Sequence, residues 1–338
     1  MADLIKVAVD AMGGDNAPLE IVKGAVDAIK EDTNVKVFLV GQEDKIKEEL
    51  AKYSGYDQDR IEIVHASQVI EMAEAPVMAI RQKPDSSIVK AMQMVKHGEA
   101  DAYVSAGSTG ANLVGGQTIV GRIKGVKRAP LAPLIPTEKG VSLLIDCGAN
   151  VDARPDQLLQ FAIMGSVYAE NILGKRNPTV GLLSIGVEED KGNALVKETY
   201  PLLKNCPDIN FIGNVESREI PSGVADVIVT EAFAGNIALK MYEGVAKTMG
   251  RVIKNTFLTN LRTKIAYLLL KKEFNVNLKA FDAKQYGGAP MLGLNGLVVK
   301  THGSAKSVEV KNSILQCVIF KTHNVDDKIK EMLNDKDA

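Results

Sequence analysis

The sequence predicts an α/β fold built on a largely parallel β-sheet that is covered by helices on both faces. Short apolar runs rich in Val and Ile alternate along the whole chain with segments of helical periodicity. Such alternation is typical of β–α–β units, whose parallel strands are buried on both faces. The chain has no fixed repeat, low-complexity tract or Pro/Ser-rich linker, so we expect one continuous α/β body over residues 1–338.

The individual elements follow from the positions of the apolar runs and of the helix signals. The runs predict strands at Ile5–Val9, Val35–Val40, Ile61–Val64, Ala102–Ser105, Val141–Ile145, Val180–Ile185, Ile209–Ile212 and Val227–Val229. Helices are predicted after Pro18, from Ser86 and Ser87 to about His97, from Ala111, from about Pro155 to Leu173 and from about Lys306 to Leu333. The segment Phe274–Leu294 has mixed strand and loop character.

Composition restricts the class of protein and its cellular setting. The chain is 46% hydrophobic and 25% charged, which excludes a disordered protein, and its net charge of −1 provides no overall field for nucleic acid. Three cysteines without paired spacing predict reduced thiols rather than a disulfide framework or a zinc site. We see no signal peptide, and the apolar run Ala266–Leu270 is far shorter than the ~20 residues that span a bilayer. We therefore expect a cytoplasmic protein without a transmembrane helix.

Glycine-rich polar loops follow several of the predicted strands. They are Asp10–Asn16, Ser105–Gly110, Asp146–Asn150, Gly186–Asn193 and Thr230–Asn236, with Tyr286–Gly288 and Thr301–Ser304 near the C-terminus. Ligands bind beyond the carboxyl ends of parallel strands, and glycine lets backbone amides approach them closely. One such loop alone is more typical of tight packing. Together the loops predict an active-site cleft.

Motifs of several common enzyme classes are missing. The first strand is not followed by G-x-G-x-x-G, and neither G-x-x-x-x-G-K-[ST] nor G-x-S-x-G occurs. No pair of histidines has metal-ligand spacing on a helix. The sequence therefore does not favour an ordinary dinucleotide enzyme, a standard NTPase, a serine hydrolase or a histidine-bound metal.

Long stretches of the chain, in order, resemble the bacterial phosphate acyltransferase (PlsX) family of phospholipid synthesis. They include Val7–Pro18, Val104–Ala111, Asp146–Ala153, Phe161–Tyr168, Phe211–Glu216 and Val299–Ser304. The resemblance implies a three-layer Rossmann-like sandwich similar to phosphotransacetylase and isocitrate-type dehydrogenase folds. It also implies a homodimer that converts acyl-(acyl carrier protein) and inorganic phosphate to acyl phosphate and free carrier protein. Two positions depart from the family pattern: Ser108 replaces a frequent Asn, and Ala234 replaces a Thr whose hydroxyl is thereby lost.

The implied reaction requires phosphate binding, oxyanion stabilisation and departure of a thiolate. Phosphate is already ionised and thiolate leaves readily, so positioning and electrostatics should dominate, and we expect neither a cofactor nor a resident metal. The candidate phosphate- and substrate-binding residues are Asp10, Gly13, Gly14, Asp15, Ser105, Gly107, Ser108, Thr109, Gly110, Asp146 and Asn150. Asp10, Asp15, Asp146 and Asp152 would also suit a divalent metal, although loop hydrogen bonds explain Asp equally well.

Three further residues are candidates for catalysis. Lys191 would neutralise phosphate or the developing oxyanion, unless it is an ordinary exposed loop lysine. Asn236 would donate its amide to the carbonyl oxygen, with a helix N-cap as the alternative. His302 would carry a proton or bind phosphate, although a lone histidine is more often structural. A covalent acyl-enzyme on Cys147 is the least favoured reading, because the reaction does not need one.

A basic segment without acidic residues extends from Gly244 to Lys272. Its basic residues are Lys247, Arg251, Lys254, Arg262, Lys264, Lys271 and Lys272. Apolar residues recur every four positions from Ile253, which predicts one face of an amphipathic helix. Such a helix suits an anionic membrane surface or an acidic carrier protein, with a core or dimer-interface helix as the alternative. The candidate contact residues are Phe257, Leu258, Leu261, Arg262, Lys264, Ile265, Leu268 and Leu269.

The family's task favours reversible association with the inner face of the membrane. There the acyl phosphate would pass to a membrane glycerol-3-phosphate acyltransferase. Two other functions stay open at this point: a phosphotransacetylase-like enzyme that uses acyl-CoA, and a non-catalytic acyl-carrier or membrane scaffold. Nucleic acid is not an expected partner.

Overall fold

The computed structural model describes residues 4–280 and 283–334. The strands are β1 Ile5–Asp10, β2 Val35–Gly41, β3 Ile61–His65, β4 Ala102–Ser105, β5 Leu134–Thr137, β6 Gly140–Ile145, β7 Thr179–Ser184, β8 Asn210–Glu216, β9 Val227–Val229, β10 Ala289–Met291 and β11 Leu297–Lys300. The helices are α1 Leu19–Glu31, α2 Glu43–Leu50, α3 Pro76–Gln82, α4 Ser87–Lys96, α5 Thr109–Gly115, α6 Pro155–Ile172, α7 Ala194–Lys204, α8 Ala232–Leu258, α9 Leu261–Ala280, α10 Ser307–Thr322 and α11 Val325–Asn334. The predicted single body over 1–338 includes residues 1–3, 281–282 and 335–338, which lie outside this description.

The described strands form two sheets rather than one. The first has the order β10-β11-β4-β1-β2-β3, and the second has the order β5-β6-β9-β7-β8. All neighbouring strands in these sheets are parallel except for the edge pairs β10–β11 and β5–β6. Helices cover the sheets, so the predicted α/β class with mainly parallel strands is confirmed.

Most predicted strands are present within a few residues of their expected bounds. Strands β5, β10 and β11, which are three or four residues long, were not predicted from the sequence. It was also wrong to extend one helix from Lys306 to Leu333, because α10 ends at Thr322 and a new helix begins at Val325. Asn324 between them has φ of 51°, a left-handed conformation that does not continue a helix.

One buried apolar cluster contains residues of both sheets. It includes Val9 and Leu39 of the first sheet, Ile145 and Val180 of the second, and Phe161 of α6. A shared core of this kind resists separation of its parts, because separation would expose apolar side chains to water. This packing supports our proposal that the chain is a single folding unit.

The predicted basic amphipathic helix is a helical hairpin in the structure. The break between α8 and α9 interrupts the apolar periodicity that the sequence suggested was continuous. The Phe257 ring packs between the hairpin arms, with its centroid 5.2 Å from that of Tyr267 and 5.7 Å from that of Phe274. Phe257 is therefore half-buried, and its contact with a membrane or a carrier protein stays a prediction. Leu258, Leu261, Ile265, Leu268 and Leu269 are each at least 50% exposed, and Arg262 and Lys264 are exposed with them.

Candidate active site

The loop that follows β1 is pressed against the loop that follows β4 at the carboxyl edge of the first sheet. A Cβ atom on Gly13 would lie 2.2 Å from Asp10 Oδ2 and 2.7 Å from the backbone nitrogen of Gly107. Both distances are too short for non-bonded atoms, so glycine alone fits without a shift of the loops. The structure thus brings Asp10, Gly13 and Gly107 together.

The loop that follows β11 completes this cluster. The Asp15 amide donates to the Gly303 carbonyl at 2.8 Å, and the Thr301 amide donates to the Ser105 carbonyl at 2.9 Å. Gly14 has φ of +94°, in the left-handed region that favours glycine, and this conformation turns the chain toward Gly303. Three loops from different parts of the sequence therefore meet at one place.

Ser105 and Asp10 form the buried polar centre of the cluster. The Ser105 hydroxyl donates to Asp10 Oδ2 at 2.7 Å and accepts from the Gly107 amide at 2.9 Å. Burial raises the pKa of Asp10, while hydrogen bonds from Ser87, Ser105 and Met12 act in the opposite direction. Because Ser105 and Gly107 are bonded to each other, we infer that they stabilise the loop and leave ligand contacts to neighbouring groups.

Helix α5 begins beside this centre. The Ser108 hydroxyl is its N-cap and accepts from the Ala111 amide at 3.4 Å. A Cβ atom on Gly110 would lie 2.4 Å from Pro76 Cγ, so α5 packs closely against the start of α3. Thr109 is exposed, which leaves its hydroxyl accessible to a ligand.

Lys300, at the end of β11, is a charged residue of this cluster that the sequence analysis missed. It is the strand partner of Ser105, it is only 7% exposed, and its Nζ donates to the Thr301 carbonyl. Burial lowers the pKa of Lys300 to about 8, although the charge of Asp10 acts to raise it. The local signal in the sequence is a lysine that ends a Leu-Val-Val run directly before Thr-His-Gly-Ser.

At the second sheet, Asp146 organises the loop that follows β6. Its Oδ1 accepts from the amides of Leu131 and Ala149 at 2.9 and 3.3 Å. Its Oδ2 accepts from the amide and the side-chain nitrogen of Asn150 at 2.8 and 2.7 Å. Burial raises the pKa of Asp146 to about 6 against these bonds. Both carboxylate oxygens are engaged within the chain, so we infer that Asp146 and Asn150 stabilise the loop.

The start of α8 lies directly on this loop. A Cβ atom on Gly235 would lie 2.0 Å from the Asp146 carbonyl oxygen. Glu231 is the N-cap of α8, and its Oε1 accepts from the Ala234 amide at 2.7 Å. Asn236 lies in the second helical turn with its side chain exposed, so the alternative that Asn236 is an N-cap is wrong.

The loops of the second sheet enclose an open cleft of about 430 Å³. It is lined by Val151, Asp152, Ala153, Asn193, Leu195, Glu231 and Phe233. Lys191 is exposed in the same β7–α7 loop, two residues before Asn193, and its amide donates to the Glu188 carbonyl at 3.1 Å. Lys191 thus belongs to a loop that lines the cleft through Asn193, two residues further on.

Lys240 of α8 connects the two groups of loops electrostatically. Its positive charge lowers the pKa of Lys300 in the first group and the pKa of Cys147 in the second. Both effects require proximity, since the interaction of charges falls with distance. The Lys240 ammonium therefore lies within electrostatic range of Lys300 and of Cys147.

His302 lies exposed in the β11–α10 loop, next to Gly303. Its Nδ1 accepts from the Ser304 amide at 3.2 Å and lies 2.9 Å from the Ser304 hydroxyl oxygen. An Nδ1 that accepts a hydrogen bond carries no proton, so this arrangement assigns the proton of a neutral ring to Nε2.

The surroundings of Cys147 do not favour a covalent mechanism. Cys147 is buried, and burial raises the pKa of its thiol well above the ordinary value, which disfavours a nucleophilic thiolate.

Across residues 4–280 and 283–334, no group of three or more His, Cys, Asp or Glu side chains could hold a metal ion. Over the same ranges, no helix has the length and apolar character required to cross a bilayer.

The α/β fold resembles that of phosphotransacetylases of known structure. A phosphotransacetylase from Streptococcus pyogenes superposes with a TM-score of 0.62 at 19% identity, with 94% of each chain covered. The EutD phosphotransacetylase from Staphylococcus aureus gives a TM-score of 0.59 at 18% identity, again with 94% of each chain covered. At these identities the likeness concerns the fold alone.

The chain belongs to the fatty acid synthesis protein family, whose model matches residues 5–328. It is 50% identical over 332 residues to a phosphate acyltransferase from Clostridium novyi, covering 98% of this chain and 99% of the relative. It is 51% identical over 333 residues to a phosphate acyltransferase from Clostridium botulinum, covering 98% of this chain and 100% of the relative. The family expected from the sequence motifs is confirmed.

Proposed function

We propose that this protein is a phosphate acyltransferase that transfers an acyl group from an acyl carrier protein thioester to inorganic phosphate. The observation that carries the proposal is the meeting of the β1, β4 and β11 loops around Asp10 and Ser105. Polar glycine loops at the carboxyl edge of a parallel sheet are suited to an anionic substrate. The names of the relatives, phosphate acyltransferases at about half identity over nearly the whole chain, support the same activity.

The reaction is a displacement at a thioester carbonyl. A phosphate oxygen attacks the carbonyl carbon and forms a C–O bond, the C–S bond breaks, and the carrier thiolate leaves. The proton that hydrogen phosphate loses passes through solvent to the thiolate, so acyl phosphate and free thiol are the products. Thr109 and the loop amides would position phosphate, and the Lys191 ammonium would stabilise the developing oxyanion. Asn236 would donate to the same oxygen, and His302 would bind phosphate or transfer a proton through Nε2. No acyl-enzyme is formed on Cys147.

The experiment that tests this function supplies purified protein with acyl carrier protein thioester and inorganic phosphate. Release of free thiol and formation of hydroxylamine-trappable acyl phosphate should both depend on phosphate. Parallel reactions with acyl-CoA separate a carrier-dependent enzyme from a phosphotransacetylase. Acyl phosphate formed from acyl-CoA alone would overturn the choice of donor, and absence of any phosphate-dependent thiol release would leave the scaffold alternative.

The α8/α9 hairpin supports our further proposal of reversible membrane-surface association. Leu258, Leu261, Leu268 and Leu269 are between 52% and 77% exposed, and they lie in the same acid-free segment, Gly244–Lys272, as seven basic residues. Exposed apolar side chains among basic ones favour an anionic lipid surface. Association with the inner face of the membrane would bring acyl phosphate to a membrane glycerol-3-phosphate acyltransferase. The same basic side chains would suit an acidic carrier protein.

A homodimer is the remaining part of the proposal, and one face of α8 supports it. This face carries Ile237, Met241, Val245, Met249 and Val252, each more than 50% exposed. A stripe of this length is unusual on a monomer, and a second copy could bury it about a two-fold axis. Sedimentation equilibrium should show a dimer that Met241→Glu plus Val245→Glu converts to monomer; a wild-type monomer would exclude it.

A further inference from the structure

Lys300 occupies an unusual environment for a lysine side chain. The β4–β11 register places it directly beside Ser105, whose hydroxyl donates to Asp10 Oδ2 at 2.7 Å. Lys300 is 7% exposed at the carboxyl edge of the sheet, where the three loops meet. Lysine is rarely buried unless it is paired, because removal of an ammonium from water is costly.

The hydrogen-bonding capacity of this ammonium exceeds what its surroundings use. A protonated lysine has three N–H donors, and among the described residues its hydrogen-bond acceptor is the Thr301 carbonyl. The charged groups that affect Lys300 from neighbouring elements are Asp10 of β1, Asp15 of the following loop and Lys240 of α8. Among the described residues Asp10 acts on Lys300 through its charge, without a hydrogen bond or ion pair between them, so two Lys300 donors remain for a ligand.

The β4–α5 loop beside Lys300 has no positively charged side chain that could pair with an anion. The Ser105 hydroxyl and the Gly107 amide bond each other, and the Ser108 hydroxyl caps α5. These groups are largely occupied within the chain, and none of them carries positive charge. A multiply charged anion in this place requires a cation that its own loop does not supply.

We propose that Lys300 binds a phosphate oxygen at the base of the three loops and so forms part of the phosphate subsite. This inference rests on the proposed acyl transfer to phosphate and names the residue that holds the acceptor. The ligand class is inorganic phosphate as substrate, or the phosphoryl group of acyl phosphate in the reverse reaction. Lys300 acts in its protonated form, so its contribution falls as the ammonium loses its proton.

The test measures binding of inorganic phosphate calorimetrically, together with the KM for phosphate, in Lys300→Met and Lys300→Arg. Lys36→Met is the matched control, because Lys36 is a strand lysine that pairs with Glu62 outside the loop cluster. Loss of a charge-assisted hydrogen bond should weaken phosphate binding by about tenfold or more in Lys300→Met. Lys300→Arg should restore most of the affinity, and Lys36→Met should match the wild type.

A pH series separates ligand binding from a merely structural role. The pKa of Lys300 is about 8, so wild-type affinity for phosphate should fall above that pH, whereas Lys300→Arg should keep its affinity to pH 9. Ionisation of phosphate itself is common to both proteins and cancels in the comparison. The comparison of wild type with Lys300→Arg across pH also tests the proposal if Lys300→Met does not fold.

Equal phosphate affinity in folded Lys300→Met and wild type, or identical pH profiles for wild type and Lys300→Arg, would overturn the assignment while leaving the proposed function intact. A wild-type protein that neither binds phosphate nor forms acyl phosphate would overturn both.

Discussion

The Ser105 hydroxyl donates to Asp10 Oδ2 at 2.7 Å. The two residues end neighbouring strands, although they are 95 positions apart in the sequence. This bond joins the ends of β1 and β4 directly below the glycine loops. The same hydroxyl accepts from the Gly107 amide, so one side chain determines the position of both loops.

Replacement of Ser105 by alanine should therefore destabilise the protein. It removes a donor from the buried Asp10 carboxyl and an acceptor from the Gly107 amide, and an unsatisfied buried group costs about 1–3 kcal/mol. The free energy of unfolding in urea measures the loss. Ser54→Ala, at an exposed position, should change stability by less than about 0.5 kcal/mol. Equal stability of the two variants would contradict this role of Ser105.

Lys191→Ala should lower the kcat/KM for acyl transfer about 10- to 100-fold. The expected loss is that of one positive charge near the oxyanion, and each tenfold change corresponds to about 1.4 kcal/mol of transition-state stabilisation. Lys197→Ala, an exposed lysine of α7 close by in sequence, is the control and should retain wild-type kinetics. Full activity in Lys191→Ala would remove the catalytic assignment.

Phe161→Ala should destabilise the whole chain rather than one sheet. The Phe161 ring is fully buried in the cluster that contains residues of both sheets, and such a truncation costs about 3–5 kcal/mol. Calorimetry and circular dichroism should show one coincident transition at a lower temperature. Phe233→Ala, whose ring is 62% exposed, should melt close to the wild type. Two separate transitions would show that residues 1–338 do not form a single unit.

Leu258→Glu plus Leu269→Glu should abolish co-sedimentation with vesicles that contain anionic lipid. The two substitutions place negative charge on side chains that are 52% and 77% exposed on the hairpin. Leu202→Glu, on α7 and 39% exposed, should leave vesicle binding unchanged. Undiminished binding by the double variant would contradict membrane contact through this surface.

The sequence predicted the loops of the site better than the roles of their residues. Apolar runs and glycines identify strand ends, so the segments around Asp10, Ser105 and Asp146 were recognisable. Hydrogen bonds such as those that engage both oxygens of Asp146 depend on Leu131 and Asn150 reaching it in three dimensions. Local sequence does not show which polar side chains remain accessible.

Three other features of the structure were not predicted from the sequence, each for an identifiable physical reason. Lys300 ends a four-residue strand, too short to show periodicity, and its burial depends on neighbours far away in sequence. The α8–α9 break escaped detection because apolar residues continue at helical spacing on both sides of Thr259 and Asn260. The Glu231 N-cap was also missed, because Ser, Thr, Asp and Asn are the usual capping residues.

Helix α8 begins at the cleft and continues for 27 residues to the turn of the hairpin. At 1.5 Å per residue its length is about 40 Å. A continuous helix acts as a stiff spacer, so a surface that rests against the hairpin turn is kept at a set distance from the loops. Any change in the number of α8 residues would alter both the spacing and, at 100° per residue, the direction in which the hairpin faces.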